Sequence, residues 1–158
     1  MKVNSFLKLL IAISISEFAG IVGSFFTVSA VPNWYAALEK PVLNPPSWIF
    51  GPVWIILYAL MGVAVFLVWE KGWKKREVKK ALGVFGIQLF LNAIWSIVFF
   101  GLQNPFWALI NIAFLWLAII WTIFKFYPLS KPASYLLAPY ILWVSFAVYL
   151  NYAIWALN

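Results

Sequence analysis

The chain has 158 residues, of which 66% are hydrophobic and only 9% are charged, whereas a soluble domain carries about 25% charged residues. This composition excludes a soluble globular domain and predicts an integral membrane protein, with room for one membrane domain over residues 1–158. The formal net charge is +7, but the basic residues lie between apolar segments, so we expect no nucleic-acid partner.

The sequence contains neither cysteine nor histidine. Disulfides, thiolate or imidazole metal sites, and Ser-His or Cys-His catalytic pairs therefore lack their components. A haem iron would also lack its most common strong axial ligands. We accordingly predict no metal-ligating residue, no catalytic residue and no obligatory cofactor.

Five apolar segments are long enough to cross a bilayer, which requires about 20 residues of helix. They span residues 9–28, 48–69, 81–102, 105–124 and 133–157. Because backbone polar groups in lipid are satisfied within helices, these segments predict an all-α protein, a five-transmembrane-helix bundle. Only about two residues, Gln103 and Asn104, separate the third and fourth segments, which predicts an antiparallel hairpin. The first segment imitates a secretory signal, but its length and Glu17 argue against cleavage.

The basic residues are distributed asymmetrically between the two sides of the membrane. Five spans place the N-terminus, residues 70–80 and residues 125–132 on one side, with ten of the eleven basic residues: Lys2, Lys8, Lys71, Lys74, Lys75, Arg76, Lys79, Lys80, Lys125 and Lys131. The other side has only Lys40. The positive-inside rule therefore predicts a cytoplasmic N-terminus and an external C-terminus, with the plasma membrane as the expected location.

The long connection between the first two helices is rich in prolines and tryptophans. Residues 34–54 read WYAALEKPVLNPPSWIFGPVW and contain Pro41, Pro45, Pro46, Pro52, Trp34, Trp48 and Trp54. Each proline fixes a backbone angle and removes a donor, while each tryptophan supplies a flat face with one polar group. We therefore expect a rigid external cover over a binding site.

Helical spacing places aromatic and amide side chains on shared faces in the middle and the outer half of the membrane. These faces are Gln88, Asn92, Trp95 and Phe99 on the third helix, Trp54 and Tyr58 on the second, Trp107, Asn111 and Phe114 on the fourth, and Trp143, Ala147 and Leu150 on the fifth. One interpretation is a pocket for a flat, largely apolar ligand. The alternative is that the amides bond between helices and the tryptophans fill the core or the membrane boundary.

Small and charged residues in the first helix also leave alternatives open. Small residues recur at intervals of four in two series, Ser16, Gly20 and Ser24, and Ala19 and Gly23. Such a pattern allows another helix to approach closely, either within the bundle or in a dimer. Glu17 lies near the middle of the span, where a carboxylate is unfavourable. We expect it to be protonated or paired with Asn, Tyr or Trp donors, or to take part in transport.

Several motifs closely resemble the TspO/MBR (translocator protein) family, formerly called the peripheral benzodiazepine receptor. They are WYAALEKP, NPPSW, GPVW, LYALMG, LNAIWSIVFFG, WALIN and PYILWVSFAVYLN, and the resemblance extends over residues 20–158. It implies a five-helix bundle, commonly a homodimer, that binds tetrapyrroles such as protoporphyrin IX and haem. It also implies binding of sterols and of synthetic benzodiazepine-type ligands.

The resemblance further implies a ligand pocket between the helices, under the 29–47 loop. Its residues would be Phe50, Gly51, Val53, Trp54, Tyr58, Asn92, Trp95, Trp107, Ile110, Phe114, Trp143, Ala147 and Leu150, with Ser24 and Thr27 matching less closely. Leu43 stands where the family often has tryptophan. No basic residue follows Tyr149 or Tyr152, so the family's sterol motif is incomplete.

The function implied by the resemblance is that of a membrane translocator or sensor for tetrapyrroles. One alternative is an enzyme-like, light-dependent degradation of bound porphyrin, in which the pocket tryptophans Trp54 and Trp143 would take part. A second alternative is a carrier of sterols or other lipids. Chemistry in the dark is not expected, because no general acid–base pair other than Glu17 and tyrosines is evident near the pocket.

Overall fold

The computed structural model describes residues 4–158, and within that range every regular element is a helix. The six α-helices are α1 (Ser5–Ala30), α2 (Phe50–Trp69), α3 (Arg76–Ser96), α4 (Pro105–Phe126), the short α5 (Lys131–Tyr135) and α6 (Ala138–Leu157). In this part of the chain, five helical segments are long and apolar enough to cross a membrane: Ser5–Tyr35, Ser47–Trp69, Arg76–Gly101, Pro105–Phe126 and Lys131–Leu157. The predicted all-α, five-helix architecture is confirmed.

Capping side chains set several helix starts that the apolar pattern alone does not locate. The Asn4 side chain accepts a hydrogen bond from the Leu7 amide at 2.8 Å, so α1 begins at Ser5, before the predicted apolar segment. Asn104 accepts from the Trp107 amide at 3.1 Å and starts α4 at Pro105. Such caps satisfy amides that have no partner within the helix. A capped helix can therefore begin before its apolar segment does.

The first and third spans wind as π-helices at their C-terminal ends, Val31–Tyr35 and Ile97–Gly101, on the side of the bundle where the 29–47 loop lies. In the first, Pro32 cannot donate to the carbonyl four residues earlier, which favours a wider turn. The two segments pack against each other through aromatic rings. The Phe99 ring centroid lies 5.5 Å from that of Trp34 and 6.3 Å from that of Tyr35.

Four of the five small residues of the α1 pattern are used inside the bundle, whereas Ser24 is exposed on the cavity wall. Ser16, Ala19 and Gly23 are buried, and a methyl group added at Gly23 would lie 2.9 Å from Ser96 Oγ on α3. Gly20 lies directly against the Tyr58 ring of α2. Of the two alternatives for this pattern, the structure shows packing within the bundle, because α2 and α3 occupy the surface that the small residues open.

A buried polar network joins α2, α3 and α6. The Tyr58 hydroxyl donates to Asn92 Oδ1, and Asn92 Nδ2 donates to the Tyr140 oxygen at 2.9 Å. Tyr140 in turn donates to Gln88 Oε1 at 2.8 Å. All four side chains are buried. The expectation that Asn92 and Gln88 bond between helices is therefore confirmed.

The same expectation is wrong for Asn111 on α4. Its Oδ1 is buried and has no hydrogen-bond partner within residues 4–158. A buried carbonyl oxygen without a donor is unfavourable by roughly 1–3 kcal/mol. Asn111 therefore does not join α4 to the described network, although its residue type and depth resemble those of Asn92.

On the side that carries most of the basic residues, an ion pair joins the start of α1 to the end of α2. Lys8 Nζ lies 2.6 Å from Glu70 Oε1, and Ser5 Oγ donates to Glu70 Oε2 at 2.9 Å. The hydrogen bond from Lys8 lowers the pKa of Glu70, and the hydrogen bond from Ser5 lowers it further. Glu70 thus stays ionised at a lower pH than a free side chain. Lys2, which the charge count also included, lies outside the described residues.

Candidate functional site

A cavity of about 540 Å³ lies between α1, α2, α3 and α6. Ligand-binding cavities typically have volumes of about 300–1,000 Å³, so its size suits a small organic molecule. Glu17, Gly20 and Tyr58 form the end that lies deepest in the bundle, here called the inner end. The outer end, nearest the 29–47 loop, is formed by both π-helical segments and by Ser47 and Trp48. The cavity therefore occupies the half of the bundle below the 29–47 loop.

Aromatic rings form much of the cavity wall. The Trp54 ring stacks on Tyr58 with centroids 5.5 Å apart, and Trp95 stacks on Phe99 at 5.3 Å. Trp143 of α6 meets Phe50 of α2 edge to face, with ring centroids 6.1 Å apart. Flat faces of this kind favour a flat partner, because aromatic rings stack best in offset or edge-to-face arrangements.

Most polar side chains of the wall already donate their protons within the protein. Ser24 Oγ donates to the Ile21 carbonyl at 2.7 Å, and Thr27 Oγ1 to the Gly23 carbonyl at 3.0 Å. Trp95 Nε1 donates to Asn151 Oδ1 at 3.0 Å. By contrast, no acceptor within the described range lies at hydrogen-bonding distance from the indole N–H of Trp54 or Trp143. These two indoles remain able to donate to a ligand.

The cavity is open on one side, between α1 and α2. Ile21 and Val28 of α1, together with Trp48 and Ile55 at the α2 side, line the cavity and are also exposed. Exposed apolar side chains on transmembrane helices face lipid. A ligand in the cavity would therefore be in contact with the hydrocarbon region of the bilayer as well as with the protein.

The 29–47 loop contributes to the cavity mainly through its two ends. Val31, Pro32, Tyr35 and Ser47 line it, whereas residues 36–46 do not. The middle of the loop is nonetheless held firmly, because Tyr35 donates to Asn44 Oδ1 at 2.7 Å. The predicted cover thus borders the cavity, and Leu43 lies exposed and away from it.

The structure brings ten of the predicted site residues together around the cavity: Ser24, Thr27, Phe50, Gly51, Trp54, Tyr58, Trp95, Trp143, Ala147 and Leu150. Two others lie nearby without lining it. Asn92 is enclosed in the buried polar network, and Val53 lies on a shallow apolar groove between α2 and α6. Ligand binding by the ten cavity residues remains a prediction.

The three predicted residues of α4, namely Trp107, Ile110 and Phe114, do not line the cavity. Trp107 is 59% exposed and Phe114 is 60% exposed, so this face of α4 points out of the bundle. The opposite face carries the buried residues Ala108, Ile112 and Leu115. The site predicted from the sequence also omitted residues of the π-helical segments that do line the cavity, chiefly Tyr35, Phe99 and Phe100. The only signal for them was that Phe99 shares a helical face with Trp95.

Glu17 lies half-buried at the inner end of the cavity. Within residues 4–158, neither an Asn, Tyr or Trp donor nor any other donor lies at hydrogen-bonding distance from its carboxyl group. The expected pairing is therefore not observed. Its nearest possible hydroxyl partner on α2, Tyr58, donates to Asn92 instead.

Comparison with known proteins gives a consistent result along almost the entire chain. The model of the TspO/MBR family matches residues 12–156. The chain is 47% identical over 152 residues to the Tryptophan-rich protein TspO of Chlorobaculum tepidum, covering 96% of each chain. It is 48% identical over 153 residues to the protein of the same name from Archaeoglobus fulgidus, covering 96% of this chain and 97% of the relative. It is 40% identical over 138 residues to the human Translocator protein, covering 87% and 82%. The chain belongs to the TspO/MBR family of integral membrane proteins.

Proposed function

We propose that this protein binds a tetrapyrrole, with protoporphyrin IX or haem as the ligand, and acts as a membrane translocator or sensor. The observation that carries the proposal is the aromatic cavity, whose flat, stacked walls suit a planar molecule. The name of the human relative, Translocator protein, supports the transport function. The opening between α1 and α2 supports exchange of an apolar ligand with the bilayer.

The chemistry of the wall favours recognition by shape and stacking. Because the sequence has no histidine or cysteine, a haem iron would find no common strong axial ligand in this chain. The free indole N–H groups of Trp54 and Trp143 supply donors for acceptor atoms at the edge of the ligand. We therefore expect metal-free protoporphyrin IX to bind at least as well as haem.

Two substitutions on one face of α6 test the cavity. Trp143→Ala removes an aromatic wall and Ala147→Trp fills the space, so each should weaken protoporphyrin binding by roughly tenfold or more. Quenching of tryptophan fluorescence by protoporphyrin IX in detergent micelles, repeated with absorbance detection, measures the affinity. Trp121→Ala is the matched control, since Trp121 is exposed and does not line the cavity. Unchanged affinity in both α6 variants would exclude the cavity as the porphyrin site.

The presence of both Trp54 and Trp143 in the wall also favours light-dependent breakdown of a bound porphyrin as a second function. Illumination of the protoporphyrin complex should then bleach the porphyrin absorbance faster than in Trp143→Ala protein at equal ligand occupancy. Free porphyrin under the same light gives the background.

The third function is that of a carrier of sterols or other lipids, and a competition experiment distinguishes it. Such a carrier would bind a sterol in the absence of porphyrin, or the sterol would displace bound porphyrin from the protein.

We also propose the plasma membrane as the location, with the N-terminus in the cytoplasm and the C-terminus outside, from the distribution of basic residues. Because the chain has no cysteine, single introduced cysteines report sidedness cleanly. In intact cells, a membrane-impermeant thiol reagent should label Val42→Cys, in the external loop, and label Lys74→Cys only after permeabilisation. Both positions are exposed. The reverse labelling pattern would invert the topology.

A homodimer, implied by the family resemblance, is part of the same proposal. Gly20 and Gly23 of α1 already pack against α2 and α3, so a second copy would have to contact another lipid-facing surface. Light scattering of the purified protein, corrected for bound detergent, gives the mass of the assembly. A monomeric mass across the accessible concentration range would refute this part of the proposal.

A further inference from the structure

Glu17 supplies the one carboxyl group among the residues that line the cavity, and this group has no hydrogen-bond partner in the described part of the chain. The neighbouring hydroxyls are engaged elsewhere: Ser16 Oγ donates to the Ala12 carbonyl at 3.0 Å and Tyr58 donates to Asn92. The flanking lysines are also engaged. Lys8 pairs with Glu70, and Lys40 Nζ donates to the Leu38 carbonyl at 2.8 Å.

Filling the cavity changes the surroundings of this carboxyl group. While the cavity holds water, solvent can supply hydrogen bonds to Glu17. An apolar ligand that fills the cavity expels this water and leaves a half-buried carboxyl group without a donor, which is unfavourable at membrane depth. A ligand with a cationic N–H group at the inner end replaces the water by a charge-assisted hydrogen bond, which is among the strongest available.

We propose that Glu17 makes this cavity a receptor for flat aromatic cations that carry a charged N–H group. The ring system would lie against the aromatic walls around Trp54 and Trp143, and the N–H group would donate to the Glu17 carboxylate. The proposal rests on the same cavity as the proposed function and adds a second ligand class. A tetrapyrrole, whose acidic side chains are repelled by Glu17, would place them toward the outer end.

A pair of dyes with the same ring system provides the test. 9-Aminoacridine is a cation at pH 7, whereas acridine is neutral, and the fluorescence of both can be followed in neutral detergent micelles. The parent protein should bind 9-aminoacridine roughly tenfold or more tightly than acridine, as a charged hydrogen bond predicts. Glu17→Gln should abolish this preference by lowering the affinity for 9-aminoacridine to about that for acridine. Glu17→Asp should retain part of it.

Glu77→Gln is the matched control, because Glu77 is exposed in the first turn of α3 and far from the cavity wall. The inference is overturned if Glu17→Gln protein prefers the cation as strongly as the parent does. It is also overturned if the parent binds neither dye. Protoporphyrin IX titrated into the same samples separates the two proposals. Porphyrin binding without cation preference refutes only the role of Glu17, and cation preference without porphyrin binding refutes only the tetrapyrrole function.

Discussion

Replacing Asn92 by alanine is expected to lower the free energy of unfolding by about 2 kcal/mol. The substitution removes the acceptor of the Tyr58 hydroxyl and the donor to the Tyr140 oxygen. Because all three side chains are buried, the Tyr58 hydroxyl is left without a partner in an apolar environment. Thermal unfolding in detergent micelles, followed by circular dichroism or a fluorescence-based assay, should show a Tm lower by several degrees.

Asn111→Ala is the control for this prediction, since it removes the same side chain from a transmembrane helix. Asn111 Oδ1 has no partner in the described part of the chain, so its removal breaks no observed bond between helices. We expect a change in the free energy of unfolding near zero or slightly stabilising. Equal destabilisation by the two substitutions would show that Asn92 acts through its volume and not through its hydrogen bonds.

The sequence predicted the number and order of the spans because each apolar segment is long enough to cross a bilayer. It did not predict the rotation of α4. Trp107, Ile110 and Phe114 lie on one side of α4, as their spacing in the sequence predicts. In a membrane, however, both the bundle interior and the lipid are apolar, so hydrophobicity does not determine which face points inward. Packing against α3 and α6 determines it, with Ala108 and Ile112 facing the core.

The polar face of α3 shows how two interpretations can apply to one helix. Gln88 and Asn92 bond to tyrosines of α2 and α6, as expected for interhelical contacts. One turn further out, Trp95 lines the cavity, as expected for a pocket. The spacing placed these residues on one face, but the tyrosine partners depend on contacts distant in the sequence. Tyr140 in particular was not predicted as a partner, since nothing near it in the sequence marks it as buried.

Gly62→Ala is expected to destabilise the protein by roughly 1–3 kcal/mol through overpacking between α1 and α2. A methyl group at Gly62 would lie 2.5 Å from Ile13 Cα and 2.9 Å from Ile13 N. These are backbone atoms of a neighbouring helix, so no side-chain rotation can relieve the clash and α1 must move away. Since α1 also carries Glu17, Gly20 and Ser24 of the cavity wall, ligand affinity should fall together with Tm.

Gly86→Ala, in α3, is expected to have the opposite effect on stability. A methyl group there would meet nothing within 4 Å, and alanine is favoured over glycine in a helix by about 1 kcal/mol. Its Tm should therefore equal or exceed that of the parent protein, with unchanged porphyrin affinity. If Gly62→Ala behaved in the same way, α1 and α2 would have to be separated more widely than the structure places them. The cavity wall that α1 supplies would then differ as well, so this pair of substitutions tests the fold and the candidate site together.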